Sequence, residues 1–181
     1  MTFVQVASWN IEHLSGASRE EKRQSAYALA DHIEMSGIDI IALQEIYVTD
    51  PDEEVRLFPN QPLIASRAEG ERRNRDLDIV CYLLEEHTSQ PWAYQILPNR
   101  NAGDRSQLCA VMWNAVRIRK TGEKKLEVSH RDDGDSLWDR TPHAVKFTAR
   151  IPVWERDAAQ QWQQVEVDKS LVVIPLHMKS N

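Results

Sequence analysis

Apolar and polar residues alternate along Phe3-Val4-Gln5-Val6-Ala7-Ser8-Trp9, which predicts a strand ending at Asn10. Ser18 with Glu21 three residues later forms a capping box, and Ala26, Leu29, Ala30 and Ile33 then follow the helical period. Gly37 suits the left-handed residue that closes such a helix. Ile38-Asp39-Ile40-Ile41-Ala42-Leu43 is a short run of the buried-strand type that ends at Gln44-Glu45. Strand, helix, strand in this order predicts a parallel pair joined by a right-handed crossover. Asn10 and Glu45 then fall at corresponding strand ends, on one rim of a sheet.

Further along, Asp78–His87 reads as an amphipathic helix with Ile79, Tyr82 and Leu83 inward. Tyr94–Leu97 and, more firmly, Leu108–Trp113 read as strands, with Val116–Ile118 leading toward a hairpin partner. Trp138–Pro142 is a turn, and Ala144–Arg150 alternates as a strand. Trp154–Gln164 is polar and reads as a hairpin excursion before Val165–Val173 resumes strand character. Pro175, read as lying within the last strand, removes a ladder N–H and predicts a bulge or edge position there. The Asp50–Asp76 stretch carries Arg67, Arg72, Arg73 and Arg75; a solvated loop is the first expectation, a loop offering cations to phosphates the second.

Composition narrows the class. With 181 residues, 41% apolar and 28% charged, the chain fits one globular domain spanning 1–181. No apolar run approaches the roughly 20 residues needed to span a bilayer. The N-terminus lacks a basic stretch followed by an apolar run, so no secretory leader is expected. Cys81 and Cys109 lie in apolar contexts, which predicts two buried thiols and a cytoplasmic location. A net charge of −6 argues against binding nucleic acid by bulk electrostatics. It leaves room for an enzyme that meets phosphate through a bound cation.

The chemistry gathers at strand ends: Trp9-Asn10, Gln44-Glu45, Asp139-Arg140-Thr141-Pro142 and His177-Met178-Lys179-Ser180. A carboxylate on a rigid strand end holds a hard divalent ion, with water and substrate phosphate completing its shell. Arginine neutralises phosphate with a planar fork, and histidine exchanges a proton or hydrogen-bonds the scissile group. Taken singly, Glu45 is a solvated strand end, Asn10 a turn residue, Arg140 half of an ion pair and His177 a satisfied core histidine. Asp139, His143 and Lys179 keep the structural reading, and the six tryptophans are mostly core candidates, Trp9 behind the site.

The ordered segments SWNIEHL, IIALQE, CAVMWN, WDRTPHAVKF and VVIPLHMKSN resemble the endonuclease/exonuclease/phosphatase superfamily, which includes deoxyribonuclease I. The resemblance implies an α/β fold, a two-layer β-sandwich flanked by helices, incomplete at its C-terminus. It assigns Glu45 to the metal, Asn10 to metal and phosphate, Arg140 to support of the site, and His177 to the scissile phosphate. The implied cofactor is Mg²⁺, with Mn²⁺ or Ca²⁺ as alternatives. The superfamily's later G-D-x-N and S-D-H motifs do not occur in these residues, and they carry the Asp-His base. The deoxyribonuclease I branch has a Glu ahead of the CAVMW-like strand, where this chain has the neutral Gln107.

Three expectations follow. The first is a metal-dependent phosphoesterase, nuclease ahead of phosphatase or lipid phosphodiesterase, inactive in these residues alone, with nucleic acid or another phosphate ester as substrate. The second is a non-catalytic phosphate-binding module. The third is a subunit whose missing strands come from a second polypeptide. A sandwich cut after this strand is also expected to expose an apolar face and to associate.

Overall fold

A computed structural model of the chain describes residues 3–14, 25–98, 107–126 and 141–177. In chain order the elements are β1 (Val6–Leu14), α1 (Ala26–Ser36), β2 (Ile40–Ile46), α2 (Arg75–Thr88), β3 (Trp92–Ile96), β4 (Leu108–Asn114), β5 (Ile118–Lys125), β6 (His143–Arg156) and β7 (Trp162–Val173). They form a four-stranded sheet, order β1-β2-β4-β3, and a three-stranded sheet, order β5-β6-β7. β1 and β2 run parallel, as the strand-helix-strand pattern predicts; every other pair is antiparallel.

The near-continuous apolar runs of β2 and β4 are explained by burial on both faces. Ile41 and Leu43 of β2, with Leu108, Ala110 and Met112 of β4, pack under the helices against Leu29, Ile33, Leu77, Val80, Cys81 and Leu84. The alternate residues Ile40, Ala42, Cys109, Val111 and Trp113 face the second sheet, where they meet Val145, Phe147 and Ala149 of β6. Trp113 and Phe147 make the central inter-sheet contact, with ring centroids 5.3 Å apart. The fold is therefore an α/β sandwich of two sheets, with both helices on the outer face of the first. Cys81 and Cys109 are buried and neither forms a disulfide. Among the described residues no helix is long and apolar enough to cross a membrane.

Several expectations change. Helix α1 starts from Ser25, whose hydroxyl accepts from Ala28 N at 3.4 Å; the Ser18–Glu21 box lies outside the described residues. Gly37 closes it with φ 63°, as its place in the sequence requires. β5 is no hairpin partner of β4: after a turn at Ala115–Arg117 the chain crosses to the second sheet and pairs with β6. In α2 Leu83 is buried as expected, together with Leu77, Val80, Cys81 and Leu84, while Ile79 and Tyr82 are only half-buried. Trp154–Gln164 forms the tip of the β6–β7 hairpin, as expected, but its Trp154 and Trp162 are exposed rather than core. Pro175 lies beyond the end of β7, which stops at Val173.

The 47–74 connection is largely exposed, as expected of a solvated loop, but three of the four arginines singled out in Asp50–Asp76 are paired within the molecule: Arg67 to Glu85, Arg75 to Glu53 and Asp76, and Arg73 to Asp78 and the carbonyls of Pro51 and Glu53. Asp78, wholly buried, also accepts from Arg67 N at 2.8 Å, from Ser66 Oγ at 3.1 Å and from the Tyr94 hydroxyl at 3.0 Å. A buried carboxylate persists only with such compensation. Burial, and then the charge of Asp78, push the Tyr94 phenol up; burial first and Asp78 second do the same to the Cys81 thiol.

Candidate active site

The rim at the C-terminal ends of β1 and β2 is built by an irregularity in both strands. β1 and β2 stay in register to Asn10↔Gln44 and then lose it before Leu14↔Ile46, four residues on one strand against two on the other. β2 slips again against β4 between Leu43 and Ile46. Two left-handed residues mark the break, Glu12 at φ 46° and Glu45 at φ 64°. Neither is glycine or asparagine, so each conformation is strained and must be held by its surroundings. Such bulges re-aim side chains, and here Glu45 leaves the buried face that Ile41 and Leu43 occupy. Its side chain is 15% exposed.

Asn10, Gln107 and His177 converge on the Glu45 carboxylate. Asn10 Nδ2 donates to Oε1 at 3.0 Å and Gln107 Nε2 donates to Oε2 at 3.2 Å. His177 places Nε2 3.5 Å from Oε1. Asn10 is oriented by the strained turn beside it: its Oδ1 accepts from Glu12 N at 3.0 Å, which turns the amide NH₂ toward Glu45. His177 is mostly covered, and its Nδ1 is buried without a hydrogen-bond partner among the described residues. Gln44 faces the other way and braces the strands, donating to Ser8 Oγ at 3.1 Å and to the Ala42 carbonyl at 3.3 Å.

The structure thus brings together Asn10, Glu45 and His177 from three separate stretches of sequence. Arg140, with Asp139 and Lys179, lies outside the described residues. His143 is a structural residue, buried with Nδ1 2.9 Å from Glu123 Oε1. Trp9 is half-buried and tilts against His32 at 4.9 Å, on the helical side of the sheet. Gln107, noted in the sequence as the neutral residue where the deoxyribonuclease I branch has a Glu, makes a contact with Glu45 that the sequence reading did not predict. Its signal was position, since it immediately precedes β4, the strand that runs antiparallel to β2 and starts opposite Ile46.

Compared with solved structures, the chain matches an endonuclease/exonuclease/phosphatase family protein from Leptotrichia buccalis C-1013-b with a TM-score of 0.51, at 14% identity, over 98% of this chain and 55% of that one. It has the endonuclease/exonuclease/phosphatase fold. Two further family members, from Bacteroides vulgatus and Bacteroides thetaiotaomicron, give TM-scores of 0.48 and 0.48 at 8% and 12% identity, covering 91% and 90% of this chain and 51% and 49% of theirs. The chain spans about half the length of these solved structures. No protein-family profile and no curated protein matches it. In the endonuclease/exonuclease/phosphatase fold seen here, the Asn10–Glu45–His177 cluster occupies the ends of the parallel strands, at the bulge described above.

Proposed function

We propose that this chain carries the phosphate-gripping part of a metal-dependent phosphoesterase, and that nucleic acid is its foremost substrate class. The observation that carries the reading is the chemistry around Glu45. Its carboxylate sits at a strained bulge on the rim, where the side-chain amides of Asn10 and Gln107 and the imidazole of His177 converge on it. Negative charge fixed in that way is suited to a cation. The endonuclease/exonuclease/phosphatase name of the matched structures supports the same class of chemistry.

The donor set decides which cation fits. Among the described residues no group of three His, Cys, Asp or Glu side chains could enclose a metal ion. One carboxylate does fit Mg²⁺ or Mn²⁺, which keep several waters and take their remaining oxygens from substrate phosphate. Glu45 would be the protein ligand, and Asn10 the residue that orients it while its Oδ1 is held by Glu12 N. The bound cation would offset charge developing on the phosphate in an in-line displacement. His177, close beside Oε1, would hydrogen-bond a phosphate oxygen through Nε2, and Arg140 would neutralise a second.

We read residues 1–181 as part of a single domain of this kind, with the Asp-His base supplied from outside them. The two buried thiols fit a reducing cytoplasm. The test is direct. Residues 1–181 should show Mn²⁺ binding that Glu45→Gln abolishes, together with negligible Mg²⁺-dependent cleavage of plasmid DNA. Cleavage by this chain that Glu45→Gln removes would overturn the assignment of the base to residues outside it. Mn²⁺ binding indifferent to Glu45→Gln would overturn the metal site.

A further inference from the structure

The Glu45 carboxylate is gripped from both neighbouring strands, by Asn10 of β1 on Oε1 and by Gln107, just ahead of β4, on Oε2. We propose that Gln107 is a positioning residue that fixes the plane of this carboxylate and thereby sets the divalent-cation affinity. This rests on the reading of Glu45 as the cation's ligand.

β2 and β4 are antiparallel with Leu108 opposite Ile46, so Gln107 lies just past the Glu45 bulge, and its side chain reaches back to Glu45 Oε2 at 3.2 Å. A donor on one oxygen leaves a carboxylate free to swing about its last bond. Donors on both oxygens define its plane. Glu45 needs that restraint more than most glutamates, because its backbone is already in the left-handed region at φ 64°. Donors that orient a ligand in this way typically change metal affinity 10- to 100-fold when removed, by general experience with such groups, roughly speaking. The identity of residue 107 also sets charge. A glutamate there would have nearly the same shape, would lose the donor, and would place a second carboxylate beside the first. Hard cations gain affinity with the number of carboxylates in the site.

The experiment is a Mn²⁺ titration of the 181-residue chain followed by water-proton relaxation, for the wild type, Gln107→Ala, Gln107→Glu and Glu45→Gln, with thermal melting of each to confirm folding. Gln107→Ala should weaken binding roughly tenfold, and Gln107→Glu should tighten it by about as much. Melting temperatures should stay close to wild type for both. A contact serving only to pack the rim would move both variants in the same direction, which would overturn the proposal. Equal affinity in all three Gln107 forms, with binding lost in Glu45→Gln, would also overturn it while leaving the Glu45 reading intact. Binding indifferent to Glu45→Gln would remove the cation site, and this proposal with it.

Discussion

Glu45 and Asp78 are both single carboxylates with donors on each oxygen, and they do opposite things. Asp78 is fully buried and includes a guanidinium, that of Arg73, among its partners. The ion pair cancels its charge, and the Arg67 amide, Ser66 and Tyr94 take up its remaining lone pairs. Glu45 stands at the rim with two neutral amides and an imidazole. Amides fix a carboxylate's position without the counter-charge that a guanidinium brings. The two carboxylates therefore differ less in the number of their donors than in the charge of those donors and in their exposure.

The largest test of this contrast is to remove each carboxylate. Asp78→Ala leaves Arg73 12% exposed with no counter-charge at that position and frees the 47–74 connection from α2. Losing one partner of a buried pair costs about 3–5 kcal/mol. Chemical denaturation should show that loss, whereas Glu45→Gln should change stability by less than about 1 kcal/mol, the scale of one hydrogen bond near the surface. Equal losses at the two positions would mean that both are structural.

A smaller effect probes the neutral donors around Asp78. Tyr94→Phe removes the hydroxyl that lies 3.0 Å from Asp78 Oδ1 and accepts from Asn74 N at 2.9 Å, for an expected cost of about 1–3 kcal/mol. The same environment gives a pH signature. The folded state raises both the Tyr94 phenol and the Cys81 thiol above their unfolded values. Their contribution is fully present below the unfolded values and declines as pH rises past them toward the folded ones. The denaturation midpoint should therefore fall from about pH 9 upward, and less steeply in Tyr94→Phe. A midpoint flat to pH 10.5 would show that neither group is protected.

How much of this could be read from sequence follows from the range of each interaction. The buried runs of β2 and β4, the parallel β1–β2 pair and the Gly37 cap were legible, because patterning and a left-handed glycine are local signals. The helix start at Ser25 was hidden by a competing serine at Ser18, since each can serve as a cap. The crossing of β5 to the second sheet was not legible, because Ile118 reads the same whichever sheet it joins. Asn10, Glu45 and His177 stood out as chemistry at strand ends, and the structure does bring them together. What the pattern could not show is the double bulge. Nothing in Gln44-Glu45-Ile46 announces a positive φ, and without it Glu45 would follow Ile41 and Leu43 into the helical core.

That hidden bulge gives the smallest and most discriminating test. Alanine and glycine at position 45 both delete the carboxylate and its contacts, so their difference reports the backbone alone. At φ 64° an L side chain costs roughly 1–2 kcal/mol that glycine avoids, against which glycine's greater freedom in the unfolded chain returns part. Glu45→Gly should thus be more stable than Glu45→Ala, by up to about 1 kcal/mol. At position 78, inside α2, the order should invert, with glycine about 0.5–1 kcal/mol worse than alanine. Opposite orders at the two carboxylate positions, read from denaturant midpoints, would establish that strain is stored at the rim and absent from the buried clamp. The same order at both would mean that the strand reaches Glu45 without strain, and that the rim is no more constrained than any other turn.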